Sequence, residues 1–536
     1  ETTYDLMKDT PSLVDENAGN FATLSPVNSG KYSVASASEA NLKWTDSSGG
    51  SWVNGTIAVS SGKWYWETNN FSGTGIFIGV ADATKSITNY YAYYGGAPTS
   101  LYYLVTGQKT ISGVTSSFGA ATTTSDLLGF ALDADADTLA VYKNNILLGT
   151  MTSLGYEKYS PIWSCAGAHS FNVNFGQRPF AYTPPTGFLK LNTFNLPDST
   201  IEDGSDYFNT VLYSGNSSTQ SITGVGFQPD LVWAKDRGAV VHHTWTDAVR
   251  GVHLDLFSSS NSQESNDTNG LTAFNADGYS LGSSTNHNVS GHTYVGWNWK
   301  ANGSGVSNNV GSIPSTVSAN TTAGFSIVSY AGNNGSNQTV GHGLGVTPSM
   351  FIIKNRTSAA SWSVYHKDIS TPLSNAMYLN STNAAFGWAY WGTGGLSSTV
   401  FPVHYGSADV TNQSGKNYIA YCFAEIEGYS AFGSYTGNGS ADGAFIYTGF
   451  RPAFVIIKGA TIAVDWYMYD SERNTYNETN LFLRANLANA ELTGTPIDLT
   501  SNGFKIRSTS SAVGTSGQTY IYMAFAENPF KNANAR

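Results

Sequence analysis

The chain is poor in charge. Of its 536 residues, Asp, Glu, Lys and Arg make up 12%, about half of the roughly 25% usual in soluble domains, so Ser, Thr, Asn and Gly have to cover most of its surface. Only 26 residues are Lys or Arg against 37 Asp or Glu, a formal net charge of -11. With no basic run, little is present to neutralise phosphates, which argues against nucleic acid as a partner and against anionic membrane surfaces. Two cysteines, Cys165 and Cys422, exclude a disulfide framework and a cysteine-based zinc site. Each lies in an aromatic apolar run and reads as a small buried hydrophobe. No run of about 18 apolar residues occurs, so no membrane-spanning helix is expected. GxSxG elbows, P-loops and HExxH sequences are also missing. The chain opens at Glu1 with neither an initiator methionine nor a signal peptide, which suggests a longer protein trimmed upstream.

What the sequence does contain is repetition. A block of about 100 residues recurs three times from Tyr207 onward. Each copy has a loop ending in proline and then an apolar strand: Gly226-Phe227-Gln228-Pro229 before LVWAKDR, Gly345-Val346-Thr347-Pro348 before MFIIKNR, Gly449-Phe450-Arg451-Pro452 before FVIIKGA. A tryptophan follows (Trp245, Trp362, Trp466), and each copy closes on an aromatic strand, YVGWNWK, YIAYCFAE or YIYMAFAE. The first copy departs most, ending in Trp299-Lys300 where the others have Ala-Glu. A catalytic pocket does not need three scaffolds, whereas a surface that multiplies weak contacts does.

Short aromatic and β-branched runs, punctuated by Gly, Asn, Asp and Ser, predict an all-β protein of sandwiches or barrels. The best helical candidate is Leu481 to Leu492, with room for one to three turns. GKWYWE, IFIGVA, LGFALDADADTLAVY, YSPIWSC and FNVNFGQRPF, in that order, resemble the SPRY domain, a bent β-sandwich used as an interaction module. The expected organisation is an extended N-terminal segment (1–30), an SPRY-like β-sandwich (31–185), a proline-rich linker (186–205), and three tandem β-sandwich-like modules (206–305, 306–427 and 428–536).

The N-terminal segment, the SPRY-like block, the exit GQRPFAYTPPTGFLKLNTFNLP and repeats carrying YIAYCFAEIEGYSAFGSYTGNGSADGAFIYTGFRPAFVIIK together resemble a family of bacteriophage tail-fibre and other virion surface proteins. The resemblance implies a structural or host-recognition part of a virus particle and supplies no catalytic residues.

Four constellations invite chemistry. Asp133, Asp135 and Asp137 have the spacing of a calcium loop, but Thr138 stands where such a loop needs Gly and Asn144 where it needs Glu; a tight acidic hairpin accounts for them. Eight of the nine histidines (His242, His243, His253, His287, His292, His342, His366, His404) keep no repeated spacing, so no metal site is expected. Glu425 and Glu527 occupy matching places in different repeats and could be a glycosidase pair only if the fold joined them. The fourth is Trp245/Asp247/Arg250, Trp362/His366/Asp368 and Trp466/Asp470/Arg473, where an indole face could stack on a sugar while Asp and Arg hold its hydroxyls. A tryptophan at the same place in every repeat is more simply a core anchor.

The expected function is that of a non-enzymatic virion surface protein, a fibre or spike that contacts host-cell surface glycans or an envelope receptor without cofactor or metal. It would work among other virion proteins and as a homo-oligomer, a trimer being favoured. The alternatives are a polysaccharide depolymerase carried on a fibre and a purely structural head-decoration or filament subunit.

Overall fold

The computed structural model describes residues 19–31, 35–47, 50–73, 75–87, 98–387, 390–406 and 410–532. Residues 1–18 of the N-terminal segment lie outside the described residues. As expected, the chain is all-β; the described helical elements are two short 3-10 turns, Gly204–Asp206 and Phe530–Asn532. It divides into two compact units. One comprises the residues up to Asp198 with Ala444–Gly449 and the C-terminal end, the other Ser199–Gly443 with Phe450–Pro529.

The first unit is a two-sheet antiparallel sandwich. In one sheet the strands run Leu24–Lys31, Ser51–Gly55, Tyr159–Cys165, Ile76–Asp82, Thr99–Tyr103, Gln108–Ile111, Val114–Ser117. In the other they run Ile146–Thr152, Thr138–Lys143, Leu128–Asp133, Lys63–Gly73, His169–Asn174, Lys43–Asp46, Ala35–Ser38. Alternation along each strand places Trp64, Trp66, Phe130, Trp163 and Phe171 in one core, with Trp66 stacked on Phe130 at 5.6 Å and Trp163 on Phe171 at 5.7 Å. The outer face of Lys63–Gly73 is covered as well. Phe180 meets Tyr65 edge-on at 5.0 Å, the Ala181 and Tyr182 amides donate to the Glu67 carboxylate, and Leu189–Lys190, inside the proline-rich exit, adds a short parallel strand. The Tyr447 hydroxyl donates to the Ala58 carbonyl at 3.1 Å.

The second unit contains the three repeats, each built on an antiparallel sheet. Its inner strands follow one order: Phe208–Ser214, Thr293–Trp299, Leu231–Asp236, Thr244–Asp247 in repeat 1; Phe325–Ala331, Asn417–Phe423, Met350–Asn355, Ser363–His366 in repeat 2; Ser430–Thr436, Thr519–Pro529, Phe450–Gly459, Tyr467–Asp470 in repeat 3. The runs LVWAKD, MFIIKN and FVIIKG are apolar on both faces because both faces are buried. Val232 and Ala234 enter the core of repeat 1, and Phe351 and Ile353 that of repeat 2. The opposite face meets the neighbouring repeats.

Pairing register overturns three sequence expectations. Trp233 lies opposite Trp245, Ile352 opposite Val364 and Ile456 opposite Met468. Trp245 therefore matches Val364 and Met468, while Trp362 and Trp466 match His243, two residues away. Phe208 opposes Trp299, Phe325 opposes Phe423 and Ser430 opposes Phe525, so Lys300 matches Ala424 and Ala526, and the closing strand of repeat 1 is not aberrant in register. Within the helical candidate, Thr479–Arg484 is a strand paired with Tyr467–Asp470, and Leu492 begins the next one. Alanine and leucine are good helix formers, but propensity is a weak force beside tertiary pairing, and the pairing of Leu483 with Met468 overrides it.

Candidate functional site at the repeat junctions

The Trp, Asp and Arg residues singled out from sequence lie where repeats meet. Asp247 and Asp470 end equivalent strands, and each folds an arginine three residues later back onto itself. Arg250 Nε donates to Asp247 at 2.5 Å and Arg473 Nε to Asp470 at 2.6 Å, while the backbone amides of both arginines donate to the same carboxylates. The second Nη of each arginine caps a strand carbonyl, Trp245 O or Met468 O. The remaining lone pairs are taken by the next repeat. Tyr421 of repeat 2 donates its hydroxyl to Asp247 at 2.8 Å, and Trp297 of repeat 1 donates its indole N–H to Asp470 at 3.0 Å.

A glutamate extends each network. Glu264 joins Arg250 to Arg356 of repeat 2, and Glu491 joins Arg473 to Arg237 of repeat 1, all at 3.2 Å or less. Burial pushes the Glu491 carboxyl up, but Arg237 and Arg473 together hold it below the usual range. The contacts are cyclic: repeat 1 gives to 3, and repeat 2 gives to 1.

Repeat 3 gives to repeat 2 through a junction of different chemistry. The backbone bond common to all three junctions is kept, with Glu264 N to Arg356 O, Glu491 N to Arg237 O, and Ala385 N to Ala460 O, each 2.8–2.9 Å. The charged and donor positions around the third bond are replaced. His366 stands where the others have Asp247 or Asp470, Ile369 where they have arginine, Ala385 and Ala460 where they have Glu and Arg, and Met523 where they have Trp297 or Tyr421. Five coordinated replacements mean that the junctions are matched pairs. At the centre Trp299, Phe423 and Phe525, one from each repeat, enclose one another at 5.7–6.4 Å.

The tryptophans anchor the same seams. Trp362 donates its indole N–H to Phe257 O and Ser260 O of repeat 1, Trp466 to Tyr378 O of repeat 2, and Trp245 packs on Trp362 and Tyr421 at 5.2 and 4.8 Å. Each of the three is at most 1% exposed. Asp247, Asp470, Arg250, Arg473 and His366 are buried too; only Asp368 reaches the half-buried edge. None of these three indoles is open to a sugar, so these residues hold the repeats together and the stacking arrangement read from sequence is not formed by them. Three equivalent lysines, missed as a set, also serve the seams: Lys354 reaches Asn261 O of repeat 1 and Lys458 reaches Thr382 O of repeat 2, while Lys235 holds Ala239 O inside its own repeat. Their shared place in LVWAKD, MFIIKN and FVIIKG was the available signal.

The other constellations are accounted for by hydrogen bonds. Asp133 pairs with Lys63 at 2.5 Å, Asp135 accepts from Gly62 N, and Asp137 accepts from Gly155 N and the Tyr159 hydroxyl. Glu425 is paired with Lys367 and Glu527 with Arg451. Among the described residues, Asp255, Asp267 and His287 bring ligand atoms within 4.8 Å of one another, as a metal would require. Their oxygens are already engaged: Thr246 and His287 bond Asp255, and Ser284 and the Asn269 amide bond Asp267. The trio stands on the features of a satisfied polar core, and its members are too far apart in sequence for spacing to reveal it.

Fold and junctions together define an all-β protein whose C-terminal body is a triplicated module closed on itself. The model of a domain of unknown function, DUF7483, matches residues 203–529; this is more than half of the chain, and the chain belongs to that family. Comparison with curated proteins gives no match. Among solved structures the chain is similar to the SPRY domain of human HERC1 (16% identity, 29% of this chain and 99% of that one, TM-score 0.25). It is also similar to the PSpry domain of TRIM65 (17%, 29% and 93%, 0.23) and to stonustoxin (20%, 31% and 30%, 0.24).

Proposed function

We propose that this is a non-enzymatic virion surface protein that attaches by repeated contacts to a host-cell glycan or envelope receptor. The observation that carries the reading is the use to which the repeats put their chemistry. Their buried acids, arginines and tryptophans are consumed in joining three copies of one scaffold, so what triplication multiplies is the set of outward loops, and several weak contacts on one rigid body gain strength together. A coat low in charge loses little to screening in variable salt. The sequence resemblance to virion surface proteins, and of the first unit to SPRY interaction modules, supports the same reading. The contact surface is sought on the loops of the sandwich and of the repeats. A homotrimer would use surfaces other than the junctions, since these are already filled within one chain.

The depolymerase alternative loses its best acid pair, because Glu425 and Glu527 are each committed to an ion pair within their own repeat. The test is binding of the labelled chain to a panel of bacterial cells before and after their surface polysaccharide is stripped, with reducing ends assayed in parallel. Saturable binding lost on stripping, without reducing-end release, is expected. Release of reducing ends from intact polysaccharide would replace this reading with the enzymatic one.

A further inference from the structure

We propose that the junction between repeats 2 and 3 is an acid-sensitive seam, which opens when His366 takes up a proton while the two ion-paired junctions stay closed. The geometry requires a neutral imidazole. His366 Nε2 donates to the Tyr522 carbonyl of repeat 3 at 3.1 Å, and Nδ1 accepts the Asp368 amide at 3.1 Å. A proton on Nδ1 removes that acceptor and sets two N–H groups face to face, in a side chain with no exposure.

The surroundings offer the cation little. From repeat 3 the ring meets the uncharged Tyr522 carbonyl and the Phe432 ring at 6.5 Å. From its own repeat the ionisable groups nearby are Asp368, Lys367 and Glu425, the last two paired with each other at 2.8 Å. Burial outweighs the attraction of Asp368 and holds the imidazole down at about 4. The equivalent carboxylates, Asp247 and Asp470, are instead locked by arginine. His243, at the junction of repeats 1 and 3, also accepts a bond on Nδ1, from the Trp233 indole at 2.9 Å. Burial, with Lys235 and Arg473 nearby, holds the His243 imidazole well below its ordinary range too; what sets that junction apart is the Arg237–Glu491–Arg473–Asp470 network, which opening it must also break.

A histidine depressed when the seam is closed and ordinary, near 6.5, when it is open gives closure that is fully present above pH 6.5 and is lost as pH falls toward 4. The displacement corresponds to roughly a 100-fold rise in the opening equilibrium between pH 7 and pH 4. The three matched backbone bonds serve as internal reporters. Hydrogen exchange of the full chain, corrected for the intrinsic pH dependence, should show the peptide with the Ala385 amide losing protection as pH falls, while those with the Glu264 and Glu491 amides keep theirs. His366→Gln, which can still donate to Tyr522 O and accept from Asp368 N without titrating, should remove the difference. Equal loss at all three peptides, or first loss at either ion-paired junction, overturns the proposal from the native chain alone, as does undiminished pH sensitivity in a folded His366→Gln protein.

Discussion

At the scale of single residues, the tryptophan sets were legible in kind and misread in register. That each repeat would spend an indole on its core follows from its recurrence. That Trp245 stands two residues past the position of Trp362 and Trp466 follows from spacing, because strand and hairpin have one length in all three copies, with Leu231 opposite Asp247, Met350 opposite His366 and Phe454 opposite Asp470. Trp466→Ala should therefore cost about 3 to 5 kcal/mol of stability, the range for emptying a buried indole site, read from denaturant unfolding. Tyr421→Phe is gentler. It removes one hydroxyl from Asp247 while Arg250 still holds the carboxylate, a loss of about 1.5 to 3 kcal/mol for a bond to a charged group; an unchanged midpoint would mean that the seam of repeats 1 and 2 does not depend on that bond.

At the scale of elements, strands were easier to foresee than their limits. Alternating aromatic runs marked the sandwich, whereas Leu481 to Leu492 reads as helical because Leu and Ala are good helix formers, a preference overridden in Thr479–Arg484 by pairing on both sides. Asn144 and Asn145 join Thr138–Lys143 to Ile146–Thr152, both with positive φ, 49 and 68°, and the exposed Asn145 tolerates what a Cβ-bearing apolar residue resists. Asn145→Ala should destabilise the sandwich by about 1 kcal/mol and Asn145→Gly should be close to neutral; equal effects would remove backbone conformation as the cause. The acidic hairpin nearby spends its carboxylates on Lys63, Tyr159 and backbone amides, so EDTA should leave the melting temperature of the chain unchanged within a few degrees, and a fall restored by calcium would show a cation in that loop.

At the scale of the whole molecule, the sequence announced three copies and was silent on how they close. Nothing in a linear pattern says that Arg237 will reach Glu491 or Tyr421 reach Asp247, more than 170 positions apart in each case. The loss of charge at His366, Ile369, Ala385 and Ala460, with the loss of a hydrogen-bond donor at Met523, becomes meaningful only once those five are seen to share one junction. The central claim is that the Trp, Asp and Arg sets join the repeats and do not bind a ligand, and it is tested most directly by the stability of Asp470→Ala in the full chain. Removing this carboxylate orphans the Trp297 N–H and leaves the Arg473 guanidinium buried with Glu491 alone, which should cost about 3 to 5 kcal/mol in denaturant unfolding. A variant of unchanged stability that no longer binds cells would contradict the claim and return these residues to a receptor surface.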